Sequence, residues 1–141
     1  MFLPFLAAAA ALMSANDMRS LDDAIESCNR EVALPVFTDE MRRRSVTATA
    51  AYEEQERINL QRAEIMARRS TVDGASDERV IGKDSAAKAQ RELARSQQML
   101  DDRQRALDDL RRLEAMRREA IDLKRQYFLL RCPATKKTAD R

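Results

Sequence analysis

KDSAAKAQRELARSQQMLDDRQRALDDLRRLEAMRREAIDLKRQYFLLRC, residues 83–132, contains neither glycine nor proline. Both residues are costly inside a helix, so their absence over so long a stretch predicts one continuous helix. The side-chain pattern agrees. Leu93, Leu100, Leu107, Ile121 and Phe128 fall on a seven-residue lattice, with Glu114 at the remaining lattice position. Leu110, Leu113, Ala120 and Tyr127 fill adjacent positions, so the apolar stripe broadens and drifts. That drift predicts packing against more than one helix over the distal half. Asp101 with Arg105, Asp108 with Arg112 and Glu114 with Arg118 are spaced as acid-to-base pairs, each contributing about 0.2–0.5 kcal/mol.

Upstream, the stretch between Val36 and Asp73 is equally free of helix breakers, and the only two glycines, Gly74 and Gly82, sit in the gap between the two arms. Asp73-Gly74, Ser76, Asp77 and Gly82 mark a turn over 72–84, over which Val80 and Ile81 pack. Ala51, Ile58, Ile65 and Val72 repeat every seven residues, but Gln55, Asn59 and Arg62 interrupt the seam. This arm reads as an amphipathic helix and a poor strict zipper. A short helix precedes it, with Ser20 as cap and Leu21, Ile25, Cys28 and Val32 on one stripe. Pro35 ends or kinks that helix, and Thr38 caps the next. The expected helices are about 20–34, 38–70 and 85–131. The fold class is therefore all-α: a long antiparallel, coiled-coil-like hairpin with a short N-terminal helix packed at its open end.

Composition supports that economy of core. Of 141 residues, 44% are hydrophobic but only 4% aromatic, which suits one elongated helical domain over 16–132 better than a thick globule. The 35% of charged residues nearly cancel, leaving a formal net charge of +2. A balanced surface disfavours nucleic acid as a partner. Only the tail over 133–141, with Lys136, Lys137 and Arg141 against Asp140, is locally basic, and it reads as flexible. The opening MFLPFLAAAAALMSAND resembles a secretory signal peptide over 1–15, with Phe2 to Met13 as the apolar stretch and cleavage after Ala15. It lacks a basic residue before the apolar run, and a buried N-terminal helix is the competing reading. The run is too short for a stable transmembrane span in the mature chain.

Two cysteines allow one pairing. If the hairpin reverses around residue 80, facing residues have numbers summing to about 160, because both arms rise equally per residue. Cys28 and Cys132 satisfy that sum, which predicts a disulfide stapling the short helix to the end of the long one. Persistent disulfides belong mainly to oxidising compartments, so the pairing and the leader both point to the periplasm or a secreted product.

Catalytic chemistry finds little to stand on. The chain has no histidine, so nucleophile–histidine arrangements are excluded. Asp101-Asp102 and Asp108-Asp109 form an acidic strip, but Arg103, Arg105, Arg111 and Arg112 are interleaved with it, predicting a salt-bridged face without a metal. Glu53, Glu54 and Glu56 read as surface. Tyr127, Phe128, Leu129 and Leu130 are expected to bury against Leu21, Ile25 and Val32. Leu93, Leu100, Leu107, Leu110, Leu113, Ile121, Tyr127 and Phe128 form the expected core or interaction surface. The expected function is non-enzymatic: an envelope or periplasmic structural subunit, adaptor or chaperone-like protein that binds a protein partner or its own copies along helical surfaces, with no cofactor and no small-molecule substrate. The competing reading is a cytosolic regulatory coiled coil whose basic tail touches nucleic acid.

Overall fold

The computed structural model describes residues 15–77 and 82–134. Among the described residues, three helices make an all-α fold: α1 over Ala15–Glu26, α2 over Arg30–Asp77 and α3 over Lys83–Arg131. The two long helices pair as the expected antiparallel hairpin, the short helix packs at its open end, and a Cys28–Cys132 disulfide joins the two ends. The signal-peptide reading of residues 1–14, the packing of Val80 and Ile81, and the tail over 135–141 lie outside the described residues.

The break between the first two helices falls earlier than expected, at Ser27 to Asn29, and α2 runs straight through Pro35. The cause is a local corner. Cys28 has φ of 52°, in the left-handed region. Its amide donates to the Ile25 carbonyl at 3.1 Å, and the Asn29 amide donates to the Ala24 carbonyl at 2.8 Å. Together these bonds form a Schellman cap, with cysteine at the position that glycine usually fills. Asn29 then caps α2, its Oδ1 accepting the Val32 amide at 3.3 Å. One short segment thus satisfies the end of one helix and the start of the next. Pro35 falls in the second turn of α2, where its missing amide forfeits a single helical bond.

The expected caps are corrected accordingly. Thr38 lies inside α2, where its hydroxyl donates to the Leu34 carbonyl at 3.0 Å, and Ser20 lies inside α1. Replacing Asn29 by alanine should lower stability by about 1 kcal/mol, the usual value of an N-cap. The check is a lower denaturation midpoint with native circular dichroism retained before the transition.

At the other end, α2 continues through Gly74 to Asp77, and α3 begins at Lys83, not near Ser85. The Ala86 amide donates to the Gly82 carbonyl at 3.0 Å, which closes the first turn of α3. The expected turn over 72–84 is therefore trimmed on both sides. An isolated glycine costs only about 1 kcal/mol in a helix, too little to stop one at Gly74 by itself.

The described residues form two compact units, one of those up to 48 together with those from 114 onward, the other of those within 49–113. In the first, Leu21, Ala24 and Ile25 of α1 meet Ala33 and Phe37 of α2 and Ile121, Phe128 and Cys132 at the end of the chain. The Phe37 and Phe128 rings lie 5.8 Å apart and tilted. Arg30 holds its guanidinium 5.5 Å from the centre of the Phe128 ring and donates to the Cys132 carbonyl at 2.7 Å. Phe128 alone of its expected cluster is buried; Tyr127, Leu129 and Leu130 are exposed, as is Val32. Four consecutive helical residues sweep almost a full turn, so only one of them can face a single core.

In the second unit, Ile58 of α2 is buried, as are Ala86, Leu93, Leu100 and Leu107 of α3. Two of the three residues that interrupt the seam, Gln55 and Arg62, bridge the helices, whereas exposed Asn59 accepts from Gln55 on its own helix. Gln55 and Gln104 exchange amide hydrogen bonds at 2.9 and 3.1 Å, and Arg62 reaches Asp101 at 3.2 Å. The expected four-residue pairs on α3 are replaced by three-residue ones, Asp102 with Arg105, Asp108 with Arg111 and Asp109 with Arg112.

Candidate interaction surface and its ion-paired support

Ala33, Glu40 and Glu54 sit at multiples of seven along α2, so two carboxylates occupy positions where a coiled coil would place apolar residues. Both are buried, Glu40 at 3% and Glu54 at 2% of full exposure, which corrects the reading of Glu54 as surface. Their settings differ.

Glu40 is held by three arginines. Arg43 and Arg44 on its own helix approach at 3.1 and 3.2 Å, and Arg117 of α3 at 2.7 Å. Arg43 also clamps Glu114, with Nη1 donating at 2.8 Å, and Arg44 pairs with Asp122 at 2.9 Å. Glu114, the lattice position without an apolar side chain, thus finds its partner across the helix pair instead of in Arg118. Three guanidinium groups and three carboxylates make a closed, neutral cluster. Burial pushes the Glu40 carboxyl up, but hydrogen bonds from Arg43, Arg117 and Arg44, with the Arg117 charge, outweigh it and bring the pKa down to about 2. The Arg43 guanidinium is held further into its charged form, chiefly by its hydrogen bonds to Glu114.

Glu54 is less completely served. Its Oε1 accepts from Arg103 Nε at 2.9 Å, whereas its Oε2 is buried without a hydrogen bond, with Arg57 Nη1 3.7 Å away. That separation permits attraction but is too long for a hydrogen bond. Arg103 and Arg57 are both substantially exposed, so each can turn to water if the carboxylate is removed. Glu54→Leu should therefore stabilise the protein by about 1 kcal/mol, because it removes a desolvated carboxylate without leaving an enclosed, unpaired cation. A urea midpoint that falls would show that the Glu54–Arg103 bond outweighs its desolvation cost.

The expected interaction residues divide. Leu93, Leu100, Leu107, Ile121 and Phe128 are core, Leu110 is half-buried, and Leu113 and Tyr127 are exposed. Within the first unit, α3 carries a second stripe along its outer side. Met116, Leu123, Tyr127 and Leu130 are exposed at 62%, 59%, 47% and 84%, with partly buried Ala120 in line. Their alternating separations of four and three residues put them on one face. Met116 went unnoticed among the charges around it, although that alternation was a readable signal.

The short helix flanks this stripe. Asp22 pairs with Lys124, and Arg131 pairs with Glu26 at 2.8 Å, so α1 runs beside α3 in the same direction. Between them lies an open groove of about 290 Å³, with Ile25, Leu123 and Tyr127 as apolar lining and Asp22, Glu26 and Lys124 at its edges. Arg131 also packs its guanidinium 5.8 Å from the Tyr127 ring and donates to the phenol oxygen at 2.6 Å. The groove therefore offers an apolar lining within a polar border.

Among the described residues, no group of three or more histidine, cysteine, aspartate or glutamate side chains is placed to hold a metal ion. No described helix is long and apolar enough to cross a membrane. No family model, curated protein or solved structure matches the chain, so the functional reading rests on its own stripe, groove and ion pairs.

Proposed function

We propose that the chain is a non-enzymatic protein-binding module of an envelope or periplasmic assembly, acting as a structural subunit, adaptor or chaperone-like partner. The observation carrying this reading is the exposed stripe of Met116, Leu123, Tyr127 and Leu130, left open although a short helix lies immediately beside it. An apolar face with alternating three- and four-residue spacing is the surface that helix-on-helix recognition uses. Aromatic, methionine and leucine side chains supply the contact, and the ion pairs along α1 hold the neighbouring edge in place. The disulfide and the apolar leader support that compartment, since both suit export into an oxidising space.

The test is a photo-crosslinking side chain introduced at Leu123 in the full chain, expressed in its own cells. A discrete adduct at Leu123, absent when the probe is moved to exposed Leu60, supports the reading. Absence of an adduct at Leu123, or one formed equally at Leu60, would sink it. Mass spectrometry of the same sample tests export, since the mature chain should begin at Asn16 and retain the oxidised cysteine pair.

A further inference from the structure

We propose that the partner on the outer stripe of α3 is a second copy of the same chain, packed with the two α3 helices antiparallel. This inference rests on the protein-binding reading above and names its occupant. A two-fold contact requires one patch to complement itself. Four of the five stripe residues meet that requirement about a point between Ile121 and Asp122, and the fifth, Leu130, maps onto exposed Leu113 beside the stripe. Met116 and Tyr127 stand equally far from that point, as do Ala120 and Leu123. Antiparallel pairing therefore sets Tyr127 against Met116 of the other copy and Leu123 against its Ala120.

Volume and charge favour this arrangement over a parallel one. Each antiparallel layer joins a larger side chain to a smaller or more flexible one, the alternation that fills space between helices. A parallel pair would place Ala120 against Ala120, leaving a gap, and Tyr127 against Tyr127. Along one border of the stripe, Arg117, Lys124 and Arg131 already have their carboxylates in Glu40, Asp22 and Glu26. No unmatched cation from that border would be enclosed. Along the other border, exposed Glu119 comes within reach of exposed Gln126 of the second copy, and the symmetry repeats that acceptor–donor contact.

Sedimentation equilibrium of the oxidised full chain gives the first readout. A reversible dimer at micromolar concentrations is expected, and Leu123→Asp should return it to monomer with its far-ultraviolet spectrum intact. Leu60→Asp, at an exposed position of the other unit, serves as the control and should leave the dimer unchanged. A photo-crosslinker at Tyr127 should join to the Met116 region of a second copy. A strictly monomeric chain, a dimer insensitive to Leu123→Asp, or a Tyr127-to-Tyr127 adduct would each overturn the proposal. An adduct at Leu123 in cells with only a different protein would overturn the second-copy assignment while leaving the protein-binding reading standing.

Discussion

Glu40→Leu is expected to destabilise the protein by about 3–5 kcal/mol, the range found when one member of a buried ion-pair network is removed. The leucine fits an apolar lattice position, yet the loss follows from what remains around it. Arg43, Arg44 and Arg117 have side chains only 15%, 24% and 10% exposed, and all three donate to this carboxylate. Arg43 and Arg44 keep Glu114 and Asp122, but Arg117 loses the ion pair that holds it. The contrast with Glu54→Leu is the sharper form of the prediction. Two buried glutamates on the same helix face should respond with opposite signs, because the cations around one are enclosed and those around the other can reach water. Urea unfolding of both variants at neutral pH decides it, and equal effects would refute the distinction.

The same carboxylate predicts an acid limb. Its folded pKa of about 2 lies below its ordinary value of 4.5. The folded state therefore holds on to fewer protons than the unfolded one as pH falls. The stabilisation is fully present above about pH 4.5 and is lost progressively down to about pH 2. Glu40→Leu should flatten the stability profile in that window and leave its neutral-pH slope unchanged.

Loss of the disulfide is the second large effect. Cys132→Ser should lower stability by about 4–5 kcal/mol on the chain-entropy account, because the bond closes a very long loop in the unfolded chain. The 104-residue separation and the 5.5 Å between the two Cα atoms fix the comparison. Cys28 allows a second discrimination. Its backbone is left-handed, so Cys28→Gly should be about 1 kcal/mol less damaging than Cys28→Ser, although both remove the same bond. Equal losses would mean that the corner relaxes once the bond is gone. All three variants are compared by denaturant unfolding against the oxidised parent.

The lattice of Leu93, Leu100, Leu107, Ile121 and Phe128 was legible because one apolar side chain every seven residues survives any detail of the surroundings. The cysteine pairing was legible for a similar reason, since equal rise along two arms fixes which residues face each other. The first corner was not. Its cap uses cysteine where glycine normally signals a left-handed residue, while Pro35 advertised a break that Asn29 had already supplied. The buried glutamates were also hidden. A charge at a lattice position reads as a fault until the arginines of the facing helix are known, and sequence spacing cannot tell an arginine that reaches across from one that reaches along. The outer stripe was partly visible in Ala120, Leu123 and Tyr127, but one apolar set is easily folded into another when both share a helix.

The Cys28–Cys132 bond also changes what a backbone cut can do. Everything between those two residues belongs to a single covalent ring, so one cleavage anywhere within it separates nothing. The new ends stay tethered, and each helix keeps its partner at an effective concentration that free fragments would never reach in solution. A chain nicked between α2 and α3 should therefore migrate as one species without reductant and as two fragments with it. In a protease-rich setting, the ring allows the fold to outlast the continuity of its own backbone.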